Sequence, residues 1–149
     1  MVAVIRIQVE YDPDAAQRLI KKVEDAATHL KPVFKKARTE LAEIYTNHFL
    51  SNGSGTWEPL DAEYGSWKAS RYPGAPTLVQ SGALFESVSK LEISEINNMS
   101  ARFGTDAKVA KFHQYGTWSM PKREIIFEPP RFAYELAEKI ADHIEKEAD

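Results

Sequence analysis

The chain reads as an α+β domain: long N-terminal helices with a proline kink and a C-terminal helix, packed on a small, mainly antiparallel β-sheet, with a long irregular loop between. Three observations predict this. Apolar residues recur at helical spacing over 16–48 and again over 132–144. Two short alternating stretches flank an Asn-Asn pair at 97–98, the pattern of a hairpin. Between the helical stretches, 51–80 hold seven of the chain's 7 Gly and 8 Pro residues, which breaks any regular period. At 149 residues the chain fits one domain, 1–149, large enough to bury a core.

"VAVIRIQVEY" alternates, with Ile5, Ile7 and Val9 on one face, and predicts a half-buried strand. Asp12 is a natural N-cap and Pro13 suits a first helical position. Ala16, Leu19, Val23, Ala27 and Leu30 form the stripe of the helix that follows. Pro32 kinks that helix or starts a second one, because it lacks an N–H and clashes with the preceding turn. The next stripe is Phe34, Ala37, Leu41, Ile44 and His48.

Residues 51–80 are expected to form an extended loop or arm, with a short helix near Asp61–Ser70 capped by Asp61. Its aromatics Trp57, Tyr64, Trp67 and Tyr72 either pin the loop to the body or anchor a partner chain. "SGALFESVSKLEISEI" predicts a turn at Leu84–Phe85, then a strand with Ser87, Ser89, Leu91 and Ile93 on one face. Met99, Ala101 and Phe103 alternate in its hairpin partner. Asp106 is expected to cap a short helix that Gly116 ends. "REIIFEP" reads as a strand or extended segment. The last helix starts at Pro130 and carries Phe132, Leu136, Ile140 and Ile144 on its apolar face.

Composition narrows the function. There is no cysteine, which excludes disulfides, thiolate nucleophiles, Cys-based zinc sites and iron–sulfur clusters. No apolar run approaches the ~20 residues that span a bilayer, and the N-terminus lacks a leader pattern, so a cytoplasmic origin is expected. A net charge of −3 argues against a dedicated nucleic-acid binder. The charge is uneven: 65–123 carry 8 basic and 4 acidic residues, 124–149 carry 3 basic and 8 acidic. These are either solvated faces or the two sides of a head-to-tail contact between copies.

No constellation carries chemistry. His29, His48, His113 and His143 lie at no metal-ligand spacing. His48 falls on a core face and reads as a packed, hydrogen-bonded side chain; His143 reads as an exposed helical position. There is no nucleophile elbow, phosphate loop or dinucleotide fingerprint. "KFHQYGTWSMPKRE" (111–124) is therefore predicted to be a structural corner. His113 and Gln114 would hydrogen-bond the backbone there and Gly116 would supply a left-handed turn.

Several small motifs follow one another in a particular order. "GTWEPL" gives Gly55, Trp57, Pro59 and Leu60, then Lys68 follows; "LVQSGAL" gives Leu78, Ser81, Gly82 and Leu84. Gly104 and Thr105 come next, then Ala110, His113, Gln114 and Gly116 of "AKFHQYG", then Pro121 and Arg123. This ordered set, over roughly 40–130, resembles the phage virion morphogenesis or tail-completion family, which is similar to the head–tail joining proteins of tailed phages. The chain departs from the pattern at Lys108-Val109, where a Tyr is usual in the family, and after Arg123, where Glu124-Ile125 stand in place of a direct aromatic and Phe127 comes later.

The resemblance implies a structural protein of a phage or prophage, in the tail or neck of the virion and made in the host cytoplasm. It implies rings of identical subunits that meet other tail or connector proteins, with no catalysis, cofactor, metal or membrane. Nucleic acid enters only as DNA passing through a ring. Candidate interface residues are Trp57, Trp67, Arg71, Tyr72, Lys111, Trp118, Lys122 and Arg123. The alternative from the residues themselves is a nucleic-acid-binding module. It would use the 108–123 segment, where Lys108, Lys111, Lys122 and Arg123 interleave with Tyr115 and Trp118.

Overall fold

The computed structural model describes Arg6, Gln8, Glu10 and residues 12–149; the strand expected from Ile5, Ile7 and Val9 lies outside the described residues. Helix α1 spans Pro13–Ala27. Asp12 caps it, its carboxylate accepting from the Asp14 N–H at 2.9 Å. Helix α2, Lys31–Leu50, starts afresh with Pro32 in its first turn, where a missing N–H leaves no bond unmade.

α2 is the spine of the core. Val33, Phe34, Ala37, Leu41, Tyr45 and Phe49 are buried along it, each large side chain contributing about 1.5–3 kcal/mol of burial. The buried line rotates by one residue near its C-terminus: Ile44 and His48 are half-buried and Tyr45 and Phe49 lie deepest. Around Phe49 gather Trp57, Leu84, Val88, Leu91, Ala110 and Ile125.

Helix α3 covers Ala62–Arg71, capped by Asp61 as expected, with the Tyr64 N–H donating at 2.9 Å. Helix α4 covers Ala83–Ser89, where a strand was expected. The deciding pattern is Leu84, Val88 and Leu91, spaced by four and three and all buried. Leu91 then adopts φ +48°, which closes the turn.

The sheet follows as a hairpin. β1 (Ile93–Ile96) pairs antiparallel with β2 (Ala101–Gly104), Ile93 opposite Gly104 and Ile96 opposite Ala101. α2 holds this hairpin: Arg38 donates from Nε to Ser94 Oγ at 2.9 Å and from Nη2 to the Lys90 carbonyl at 2.6 Å.

Helix α5 spans Ala110–Tyr115. Asp106 does not cap it; the approach is a turn in which Thr105 Oγ1 accepts from the Ala107 N–H at 3.1 Å. Among the described residues the "REIIFEP" segment has neither helix nor strand and no strand partner. Helix α6 begins at Phe132, behind a left-handed Arg131 (φ 63°), and runs to Ala148. Pro130 sits in the turn before it.

α1 packs on α6, and α2 on α4, α6 and β1, giving the α+β architecture. The stripe of α1 is largely uncovered: Leu19, Ile20 and Val23 are exposed, and only Ala26 is buried.

Candidate functional site: a cleft at the junction of three loops

The loop after α2 turns through Gly53, where an added Cβ would sit 2.3 Å from the Trp57 ring. That close approach lets Trp57 pack edge-on against His48 and Phe49, at ring distances of 5.1 and 5.5 Å. The Trp57 indole N–H donates to the Glu124 carbonyl at 3.2 Å. His48 Nε2 lies 2.9 Å from the same carbonyl, so His48 is the packed, hydrogen-bonded residue expected of it.

Arg123 is buried (5% exposed) against this loop. Its Nε donates to the Glu58 carbonyl at 2.8 Å and its Nη2 to the Pro59 carbonyl at 3.0 Å. Lys68 is buried too (4% exposed), its ammonium donating to the Pro76 and Thr77 carbonyls at 2.6 and 2.7 Å. The Thr77 N–H in turn donates to Asn52 Oδ1 at 2.8 Å, closing 51–80 on itself.

Gln114 clamps the extended segment. Its Nε2 donates to the Ile126 carbonyl at 2.7 Å, and its Oε1 accepts from the Ile125 and Ile126 N–H groups at 2.9 Å each. One side chain thus satisfies backbone that has no strand partner among the described residues. The expectation for Gln114 holds; that for His113 does not. The His113 backbone carbonyl accepts from the Arg123 N–H at 2.8 Å, but its Nδ1 is buried with no partner among the described residues. Gly116 ends α5 with φ 71° and ψ 173°, an extended rather than left-handed helical geometry that is open essentially only to glycine. A Cβ there would meet Lys122 N at 2.9 Å.

These loops enclose a cleft of about 650 Å³ whose lining includes Leu60, Asp61, Tyr64, Lys68, His113 and Arg123. Burial, with the Arg123 charge added, lowers the pKa of both Lys68 and His113. A triad needs a base bonded to a nucleophile and to an orienting group; His113 Nδ1 is bonded to neither. Among the described residues no group of three or more His, Asp or Glu side chains is placed to hold a metal ion. No helix among them is long and apolar enough to cross a membrane.

The candidate interface residues divide. Trp57 and Arg123 are taken inside by their own chain and leave the exposed set, because an indole N–H and a guanidinium there satisfy loop carbonyls. Trp67 is exposed on α3, stacked on Tyr64 at 5.6 Å and edge-on to a half-buried Tyr72 at 6.2 Å, beside an exposed Arg71. Lys111 lies over the Phe112 ring at 5.1 Å. Trp118 is 99% exposed and Tyr115 77%. Trp118 rides a tight loop closed by reciprocal backbone bonds between Thr117 and Met120. Lys122 is exposed, 3.7 Å from Glu124. No local pattern signals the burial of Lys68: its neighbour one helical turn before, Tyr64, is exposed.

No family model matches the chain, and no curated protein or solved structure matches it.

Proposed function

We propose that this chain is a structural assembly subunit of a tailed phage or prophage, completing the tail or joining it to the head as a ring of identical copies, without catalysis. The observation that carries the reading is convergence. Trp57, Lys68, Gln114 and Arg123, scattered through the ordered motifs, interlock three loops around one junction. A set of motifs whose residues hold one another is what a rigid ring body requires.

Two further features support it. A ring subunit on its own leaves apolar surface uncovered, and Leu19, Ile20, Val23, Trp67 and Trp118 are all exposed. With Lys68 and Arg123 buried, the exposed basic residues of 65–123 are Arg71, Lys90, Arg102, Lys108, Lys111 and Lys122, and these can face the acidic 124–149 region in a head-to-tail contact. The partners are further copies and other tail or connector proteins; the location is the virion tail or neck. Light scattering across protein concentration, with negative-stain imaging, tests the reading. Closed rings are expected; a monomer at every concentration, with no rings on grids, rejects it.

A second reading rests on the exposed Tyr115 and Trp118 beside the exposed Lys108, Lys111 and Lys122. Aromatics and lysines so placed bind single-stranded nucleic acid by stacking and charge. Arg123, now buried, no longer belongs to that patch. Binding to single-stranded DNA across a salt series decides: affinity without steep salt dependence removes this reading.

A further inference from the structure

We infer that the cleft beside α3 is a binding site for a carboxylate carried on an apolar stem, held between Lys68, Arg123 and His113. This goes beyond the assembly role and does not depend on it. The starting observation is electrostatic. Lys68 and Arg123 are both nearly fully buried, and neither joins an ion pair among the described residues. Unpaired buried charge is costly, and carbonyl oxygens offset it only in part. Lys68 Nζ donates to two carbonyls and keeps a third proton free. Arg123 uses Nε and Nη2, which leaves its Nη1 donors unassigned. His113 adds a buried Nδ1 with no partner on the same cleft.

The walls set the ligand class. Pro59, Leu60, Leu78, Met120 and Pro121 line the cleft with apolar surface. Its volume of about 650 Å³ lies in the range of small-ligand pockets. The charged and titratable groups facing it are Glu58, Asp61, Tyr64, Lys68, His113 and Arg123. The exposed Glu58 and Asp61 oppose a dianion such as phosphate, while the buried Lys68 and Arg123 favour a single negative charge. A monocarboxylate with an apolar body satisfies both. A free organic acid or a Glu side chain on a protein segment presents the same chemistry. Binding is expected to tighten as pH falls and His113 gains a proton, because the bound anion favours the imidazolium.

The test is an NMR titration of the full chain with sodium benzoate, following the His113 ring and the cleft amides. Saturable shifts confined to the cleft are expected, weakened at least about tenfold in Lys68→Met and in His113→Phe. Methyl benzoate, the uncharged isostere, provides the control that needs no variant. If the ester binds as tightly as the acid, or inorganic phosphate binds more tightly than benzoate, the assignment is wrong. Absence of saturable shifts up to roughly 50 mM benzoate overturns it as well. A parallel titration with the blocked peptide acetyl-Leu-Glu-Leu-amide separates the sources. Tighter peptide binding assigns the carboxylate to a protein segment, and tighter benzoate binding to a free acid. Because the readout is on the monomeric cleft, failure here leaves ring formation untouched, and failure of ring formation leaves this site standing.

Discussion

At the scale of single residues, the corner at 113–116 is held by unlike means. Gly116 serves through what it lacks: a methyl group there meets the Lys122 backbone nitrogen at 2.9 Å. Gly116→Ala is expected to cost about 1–3 kcal/mol from backbone strain, measured by denaturant unfolding. Gln114 serves through three hydrogen bonds, so Gln114→Leu strands three part-buried backbone groups and costs about 2–4 kcal/mol. His113 is different again. Burial and Arg123 push its pKa below the ordinary value of 6.5, so the unfolded chain binds the proton more readily. Stability contributed here is present above 6.5 and declines as pH falls through that value toward the depressed folded pKa. His113→Asn is expected to flatten this decline relative to the parent, read as the difference in melting temperature from pH 7 to below 6.5.

Helix α4 is the informative case at the scale of elements. Ser87, Ser89, Leu91 and Ile93 alternate as a strand does, while Leu84, Val88 and Leu91 recur as a helix does. Over seven residues both periods fit, and burial against α2 decides. Leu84→Ala is accordingly expected to cost about 2–5 kcal/mol, while the exposed Glu86→Ala changes stability by about 0.5 kcal/mol or less. Equal effects at the two positions would contradict the helix. Longer elements were legible for the opposite reason. α2 and α6 repeat their stripes over several turns, Asp12 and Asp61 announce their caps, and the Asn-Asn pair marks the hairpin. The "REIIFEP" segment reads in the sequence as a strand or an extended stretch, and among the described residues it forms no strand. Its partner is a side chain, and no local pattern encodes that. The burial of Lys68 and Arg123 was hidden too, since their acceptors lie eight residues away for Pro76 and 64 for Pro59.

For the whole molecule, the uncovered face of α1 and the exposed aromatics are the main departures from a closed monomer. Leu19→Glu with Ile20→Glu is expected to shift the melting temperature little, because both side chains are more than half exposed. The same pair should weaken self-association in light scattering if α1 lies in the contact between copies. Unaltered assembly would move the contact to α3 or to the Trp118 loop.

The Gln114 clamp also shapes how the molecule breathes. The N–H groups of Arg123, Ile125 and Ile126 are bonded to α5 residues rather than to a ladder. Ile125 is fully buried. Their deuterium uptake should therefore be as slow as that of the core helices, in a stretch with no regular structure. The Ile125 and Ile126 N–H groups should lose protection together when the Gln114 side chain lets go, while the Arg123 N–H, held by the His113 carbonyl, exchanges only when α5 itself moves away. The two-stranded hairpin can fray without them.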